Sequence, residues 1–271
     1  MAVFDCRYFS ETLGLNTAMT VIVPQRASGQ IGLDGVSSGD AVADTGWPTL
    51  WLLHGLSDDH TIWLRRTSLE RYVSTMKLAV VIPNVHRSFY TDMAHGGRYW
   101  TFVSEELPRV ARSFFPLSAK REHNFAAGLS MGGYGAFKLA LAHPDRYAAG
   151  ASLSGALDRT KDTDHDFNIE EALRLAFGDI SEFRGSENDL LHLADQMVER
   201  GGERPVLYQC CGTADFLYDQ NQSFLNHARS LGVEVLYEDH EGAAHTWDYW
   251  DQQIRRVLQW LPLADKGEVS V

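Results

Sequence analysis

Short apolar segments with β-strand character alternate with helical segments along most of this 271-residue chain, and this alternation restricts the fold more than any other feature. Strand–helix–strand units join parallel strands through right-handed crossovers, so the pattern predicts an α/β fold with a mostly parallel, twisted sheet and helices on both faces. The first two segments are separated by turn residues and predict an N-terminal antiparallel hairpin. The predicted strands are Phe4–Phe9, Thr17–Val23, Thr49–Leu53, Leu78–Pro83, Asn124–Ala127, Ala148–Leu153, Pro205–Cys210 and Glu234–Tyr237.

The helical segments and the chain length predict one domain over residues 1–271, because a chain of this size can bury one substantial core. Two stretches interrupt the alternation. Residues 24–47 are rich in Gly, Ser and Asp and predict a flexible loop, whereas the polar segment 156–204 predicts a cap or insertion over the carboxyl ends of the strands. The predicted helices are Ser68–Met76, Phe102–Phe115, Met131–His143, Gln220–Leu231 and Trp247–Leu261.

The composition excludes several classes of partner. A net charge of −12 without clustered Lys and Arg argues against nucleic acid and anionic membranes as partners. The N-terminus has no secretory pattern, and no apolar run approaches the ~20 residues of a membrane helix, so the sequence predicts a cytoplasmic protein. Cys210 and Cys211 lie inside an apolar strand and are interpreted as small buried side chains. Homo-oligomerisation is left open.

The pentapeptide Gly128-Leu129-Ser130-Met131-Gly132 lies between a predicted strand and a predicted helix. This G-x-S-x-G pattern is typical of the nucleophile elbow of serine hydrolases, in which glycines make room for a strained, tight turn. A phosphate-binding turn is the alternative, but neither G-x-G-x-x-G nor a Lys-Ser/Thr pair is present. Ser130 is therefore the candidate nucleophile.

A serine hydroxyl needs a histidine base and an acid that orients this base. In the chain order Ser, acid, His, both partners must follow Ser130. Asp215 follows the predicted strand Pro205–Cys210, and His245 follows Glu234–Tyr237 in a loop of small residues. These two residues are the candidates, although a solvated loop aspartate and a helix-entry histidine are the plainer alternatives.

The tetrahedral oxyanion needs two backbone donors, and the candidates are the N–H groups of Met131, which follows the nucleophile, and Leu56, which follows an early strand. His54 and His60 lie near Asp58 and could suggest a metal site, but loop-shaping hydrogen bonds explain them as well. The run Asp162–Asp166 lacks the glycine and the glutamate that an EF-hand calcium loop requires. We therefore expect no metal and no cofactor.

Aromatic residues lie beside the predicted catalytic loops, at Tyr99, Trp100 and Trp247. Core packing is the first explanation for these aromatic residues, and an apolar wall for an acyl or aryl group is the functional one. Gly55 and Asp58, in the loop that carries Leu56, complete the candidate substrate contacts.

Four segments together resemble the tributyrin esterase branch of the esterase D-like α/β-hydrolases, whose relatives include S-formylglutathione hydrolases and feruloyl esterases. The segments are Trp51–Asp59, Gly128–Ala136, Cys211–Leu217 and His245–Trp250. The resemblance implies an α/β-hydrolase fold and a cofactor-free serine carboxylesterase for small ester substrates with short acyl chains, such as acetyl or butyryl, with deacetylation of sugars in some members. It also implies the triad Ser130, Asp215 and His245 with Leu56 and Met131 as oxyanion donors.

Several alternatives follow from the same resemblance. Feruloyl or aryl esters are one, and S-formylglutathione-type thioesters are another, although Leu56-Ser57-Asp58 replaces a Cys-bearing loop associated with formylglutathione hydrolases. Acyl transfer to an alcohol, lipase activity at an interface and a non-catalytic binding protein are the remaining alternatives.

Overall fold

One eight-stranded sheet organises the part of the chain that the computed structural model describes, residues 1–25, 45–161 and 169–264. Its strand order is β1-β2-β4-β3-β5-β6-β7-β8. Strand β2 is antiparallel to β1 and to β4, and all the other neighbours are parallel. The predicted sheet with its N-terminal hairpin is therefore confirmed. The strands are β1 Ala2–Ser10, β2 Leu15–Val23, β3 Thr49–Leu53, β4 Ala79–Pro83, β5 Asn124–Leu129, β6 Ala149–Leu153, β7 Val206–Gly212 and β8 Val235–His240.

Helices cover both faces of the sheet. Successive strand side chains point to opposite faces, so Trp51 and Leu53 of β3 join one apolar cluster, whereas Leu50 and Leu52 join the other. Helices α4, α5, α7 and α8 contribute to the first cluster, and α1, α2 and α9 to the second. The helices of the described residues are α1 Ile62–Arg66, α2 Leu69–Val73, α3 Tyr99–Thr101, α4 Leu107–Phe114, α5 Met131–Ala142, α6 Ile169–Phe177, α7 Leu190–Arg200, α8 Tyr218–Ser230 and α9 Trp247–Trp260.

The prediction of one continuous α-helix over 102–115 is wrong in its first part. A wide π-helical turn, Phe102–Glu106, stands between α3 and α4. Pro108 has no N–H group and cannot donate to the carbonyl of Ser104, as a regular helix would require. That carbonyl accepts a hydrogen bond of 3.0 Å from the Arg146 guanidinium instead. Pro108 is visible in the sequence, but the partner of the Ser104 carbonyl is Arg146, which is distant in the sequence.

Strands β7 and β8 extend beyond their predicted ends. Cys211 pairs with Asp239 and Gly212 with His240, so the two strands continue through residues that were assigned to loops. Strand β8 lies at the edge of the sheet and is only partly buried, which lets polar side chains occupy it. The loops that carry Asp215 and His245 therefore begin later than the sequence suggested.

Some predictions concern residues outside the described ranges. These are most of the loop predicted at 24–47, of which residues 26–44 are not described, and the acidic run 162–166. The single domain and the cap at 156–204 stay predictions. No helix in the described segments combines the length and the apolar character that a bilayer crossing would need.

Candidate active site

Ser130 occupies a tight turn between the last residue of β5 and the first residue of α5. Its backbone has φ 54° and ψ −120°, in the left-handed half of φ space that L-residues rarely adopt. The turn is held because the Ser130 N–H donates to the carbonyl of Leu153, and its own carbonyl accepts from Ala156 N–H at 3.1 Å. The strained turn presents the hydroxyl at the end of the sheet where the parallel strands terminate.

Close packing around this turn explains Gly132. A Cβ atom there would lie 2.6 Å from the carbonyl carbon of Leu53 and 2.7 Å from the oxygen of His54, both of them backbone atoms. Such distances are well inside van der Waals contact, so only glycine fits without displacing the end of β3. The same close approach places the loop after β3 beside the nucleophile.

The side chains of Ser130, His245 and Asp215 form a continuous hydrogen-bonded chain. His245 Nε2 lies 3.0 Å from Ser130 Oγ, and His245 Nδ1 lies 2.8 Å from Asp215 Oδ2. The Asp215 side chain is fully buried, and its other oxygen accepts from the backbone N–H of Leu217 at 2.9 Å. The carboxylate is therefore fixed on two sides, and the imidazole can accept a proton from the serine.

The loops after β7 and β8 bring Asp215 and His245 together. The N–H of Ala214 donates to the carbonyl of Ala243 at 3.0 Å, which joins the two loops directly. The rings of Phe216 and Trp250 flank the imidazole of His245 at centroid distances of 4.4 and 4.6 Å. The base is thus held by packing as well as by hydrogen bonds.

The loop after β3 carries Leu56 and is fixed by His54. Nδ1 of His54 donates to the carbonyl of Gly55 at 2.7 Å, so Nε2 is the nitrogen that accepts the N–H of Val85 at 3.1 Å. Complete burial lowers the pKa of this imidazole to about 4, and it is neutral at physiological pH. The Asp58 carboxylate accepts from Gly55 N–H at 3.2 Å and holds the other side of the loop.

A cavity of about 330 Å³ opens beside Ser130 and His245. Leu56 and Met131, the candidate oxyanion donors, both line it, and so do the predicted substrate contacts Gly55, Asp58 and Trp247. Most of the lining is apolar, with Phe89, Leu129, Ile169, Phe216, Leu217 and Trp250 among the other members. The site can therefore enclose a small acyl group next to the nucleophile.

The two aromatic residues predicted at positions 99 and 100 lie elsewhere. Tyr99 lines a neighbouring groove that shares Leu56 and Asp58 with the cavity. Trp100 is partly buried, stacked on the imidazole of His143 and 4.4 Å from the Lys138 ammonium nitrogen. Consecutive helical residues point about 100° apart, so the two rings point in different directions, and Trp100 is not among the residues that line the cavity or the groove.

Sequence reasoning missed several residues of the cavity, including Arg159, Phe216 and Trp250. Phe216 directly follows the candidate acid, and that adjacency could have identified it. Arg159 lies in the polar segment after β6, where no sequence pattern distinguishes it from a surface arginine. Among the described residues, no group of three or more His, Cys, Asp or Glu side chains is placed to hold a metal ion.

Known proteins are similar to this chain in sequence and in fold. The sequence model of the family described as putative esterase matches residues 41–261. The chain is 31% identical to an acetyl esterase of Caldicellulosiruptor saccharolyticus over 268 residues, which cover 96% of this chain and 98% of that protein. Two solved structures from Staphylococcus aureus are each 37% identical to the present chain. The substrate-bound fluorophosphonate-binding serine hydrolase FphF matches with a TM-score of 0.85, covering 97% of this chain and 98% of that chain. The S-formylglutathione hydrolase FrmB matches with a TM-score of 0.83, covering 97% and 99%.

Proposed function

Because the chain belongs to the putative esterase family and is a carboxylesterase, we propose that it hydrolyses short-chain acyl esters, of the acetyl to butyryl type, through a covalent intermediate on Ser130. The observation that carries this proposal is the hydrogen-bonded chain from Ser130 through His245 to Asp215 at the wall of an apolar cavity. The fold and the family are compatible with many esters, so the substrate class rests on the site itself.

The first half of the reaction forms the acyl-enzyme. His245 Nε2 takes the proton of Ser130 Oγ as this oxygen attacks the ester carbonyl carbon. The N–H groups of Leu56 and Met131 donate to the oxyanion of the tetrahedral intermediate. His245 then gives the proton to the departing alcohol oxygen, the ester C–O bond breaks, and the acyl group remains on Ser130.

The second half releases the acid. A water molecule gives a proton to His245 and attacks the acyl carbonyl carbon, and the returning proton restores the serine hydroxyl. Throughout, Asp215 keeps the Nδ1 proton of His245 in place and stabilises the imidazolium that forms twice in each cycle. No redox group is required, because the net change is addition of water across the ester bond.

The size of the cavity supports a short acyl chain. A volume of about 330 Å³ lies at the lower end of the ~300–1,000 Å³ typical of small-molecule sites. The groove that shares Leu56, Ser57 and Asp58 with this cavity offers room for an alcohol portion larger than the acyl group. Acetylated sugars are therefore included in the proposed substrate range.

A series of 4-nitrophenyl esters from acetate to dodecanoate tests the proposal. We expect kcat/KM to be highest between acetate and butyrate and to fall for longer chains. A fluorophosphonate should label Ser130 covalently, as located by mass spectrometry. The activity should fall in proportion to the labelled fraction of the enzyme. A protein that is not labelled, or that hydrolyses only chains of eight or more carbons, would contradict the proposal.

The likeness to an S-formylglutathione hydrolase structure favours one second candidate, hydrolysis of short acyl thioesters. The acyl-enzyme would be the same, and only the leaving group would differ. Measuring kcat/KM for a matched acyl ester and thioester separates the two. Acceptor alcohols added to the same assay distinguish hydrolysis from acyl transfer. Hydrolysis yields free acid, whereas acyl transfer yields a new ester, and the two products are quantified.

A further inference from the structure

Arg159 is a buried cation in the wall of the active-site cavity. Only 5% of the residue is exposed, yet it lines the same cavity as Ser130 and His245. Burial lowers the pKa of its guanidinium to about 10, which still leaves it charged at neutral pH. A charged group in this position is costly unless something compensates it.

The protein compensates Arg159 only in part. Nη1 donates to the side-chain oxygen of Gln220 at 3.1 Å when the amide nitrogen of Gln220 faces the carbonyl of Asp158. The guanidinium carbon lies 5.6 Å from the ring centre of Phe89, a cation–π contact. The buried Nε has no hydrogen-bond partner in the described part of the chain.

The neighbouring carboxylate, Asp158, forms its ion pair with Arg184 and not with Arg159. The side chain of Asp158 is already engaged by the Arg184 guanidinium at 3.0 Å, the Thr160 hydroxyl at 2.7 Å and the Ser223 hydroxyl at 2.6 Å. Within residues 1–25, 45–161 and 169–264, no carboxylate forms an ion pair with Arg159. Among the described residues, the positive charge of Arg159 therefore has no carboxylate partner and its Nε has no acceptor.

The backbone connects Arg159 closely to the nucleophile. Ala156, three residues before it, donates its N–H to the carbonyl of Ser130 at 3.1 Å, and Ala156 also lines the cavity. The segment that carries Arg159 is thus anchored on the nucleophile turn. Ser130 and Arg159 therefore both stand on the wall of one cavity.

We propose that Arg159 is a binding residue for a carboxylate carried by the ester substrate, so that the enzyme prefers esters with a negatively charged terminus over neutral esters of the same shape. This inference rests on the proposed esterase function and adds the charge of the substrate to it. A guanidinium is suited to a carboxylate because it presents several N–H donors in one plane. The chemical step is unchanged: with the carboxylate on the acyl side, a hemiester and water yield a dicarboxylic acid and an alcohol. With the carboxylate on the alcohol side, the ester and water yield a carboxylic acid and a hydroxy acid.

Matched ester pairs test this proposal. One set places the carboxylate on the acyl side, as 4-nitrophenyl hemiesters of dicarboxylic acids with four, five and six carbons, each paired with a neutral ester in which an isopropyl group replaces the carboxylate. The second set places it on the alcohol side, as 4-carboxyphenyl and 4-isopropylphenyl acetate. Spontaneous hydrolysis is measured without enzyme and subtracted.

The readout is the ratio of kcat/KM for the charged ester to that for its neutral partner. For at least one pair, Arg159→Met should lower this ratio by about 10- to 100-fold, because a hydrogen-bonded charge pair is lost. The ratio for Arg159→Lys should lie between that of the unmodified enzyme and that of Arg159→Met, since lysine keeps the charge and loses the planar donors. Arg229→Met, on the exposed end of α8, removes the same net charge and should leave the ratio as it is in the unmodified enzyme.

A second measurement needs no variant. Free dicarboxylate monoesters should inhibit hydrolysis of neutral 4-nitrophenyl butyrate competitively, and higher salt should weaken this inhibition. The proposal is overturned if these anions do not compete and the ratio changes by less than about threefold in Arg159→Met for every pair. Failure of the unmodified enzyme to hydrolyse any of these esters, charged or neutral, would instead reject the esterase function itself.

Discussion

The phenol of Tyr90 donates a hydrogen bond of 2.9 Å to the backbone carbonyl of His54. Together with the two bonds of the His54 imidazole, it fixes the loop that carries Leu56. His54 reaches across to Val85, and Tyr90 lies on the connection that follows, so strand β3 and the chain after β4 hold one loop between them. The second candidate oxyanion donor thus depends on residues that do not contact the substrate cavity.

Stability should fall as the pH drops through the range in which His54 titrates. The folded-state pKa of this residue is lowered to about 4, whereas an unfolded histidine titrates near ~6.5. Below ~6.5 the unfolded chain binds the proton more readily, so the free energy of unfolding decreases until about pH 4, by on the order of 3 kcal/mol in total. Urea denaturation at several pH values measures this slope.

His54→Gln should remove most of that slope, although it also weakens the fold at neutral pH. The matched variant His95→Gln takes an imidazole from an exposed position and should keep the slope of the unmodified protein. An unchanged slope in His54→Gln would show that another group controls acid stability.

Ser130→Ala should lower kcat for 4-nitrophenyl acetate by three or more orders of magnitude, because the members of such a triad act as a unit. Fluorophosphonate labelling should disappear at the same time. Ser230→Ala, near the exposed end of α8, is the control and should behave like the unmodified enzyme. A loss of less than tenfold would reject Ser130 as the nucleophile.

Asp215→Asn should reduce kcat by about 10³- to 10⁴-fold while the fold is retained. An amide in this buried position can donate to Nδ1 of His245 and thereby favour the tautomer that carries its proton on Nε2. That tautomer cannot accept the Ser130 proton. Asp219→Asn, at an exposed position of α8, gives the comparison, and similar losses in both variants would argue against the role assigned to Asp215.

Gly132→Ala should lower both stability and activity. The new Cβ would lie 2.6 Å from the Leu53 carbonyl carbon, so the end of β3 and the loop after it must move. We expect a loss of roughly 1–3 kcal/mol in the free energy of unfolding, as for other overpacked positions, and a fall in kcat. Gly185→Ala is the comparison, because no atom lies within 4 Å of the added Cβ and only its positive φ opposes the change. Equal effects in the two variants would contradict the contact argument, because Gly132 has no positive φ that could account for its share.

The sequence predicted the order of strands and helices and the positions of Ser130, Asp215 and His245 because each rests on a local pattern. Alternating apolar segments and a glycine-flanked serine are visible in a few consecutive residues. Asp215 and His245 were predicted from their places after predicted strands. Such a placement tolerates an error of two residues in the predicted end of a strand. Their mutual contact required the coordinates.

The residues that sequence reasoning missed or misplaced depend on distant contacts. The π-helical turn before Leu107 reflects a proline and the guanidinium of Arg146, about forty positions later. Arg159 looks like any polar loop residue until the segment after β6 folds back on Ser130. Trp100 was predicted beside the catalytic loops, but its indole lies against Lys138 and it does not line the cavity.

The direction of β1 has a practical consequence. Strand β1 is antiparallel to β2, which is antiparallel to β4, so Met1 lies at the end of the sheet opposite the loops that carry Ser130, Asp215 and His245. A linker joined to Met1 would tether the enzyme to a bead or an electrode with its cavity turned toward the bulk liquid. Immobilised catalyst made in this way should admit substrate as freely as the enzyme in solution.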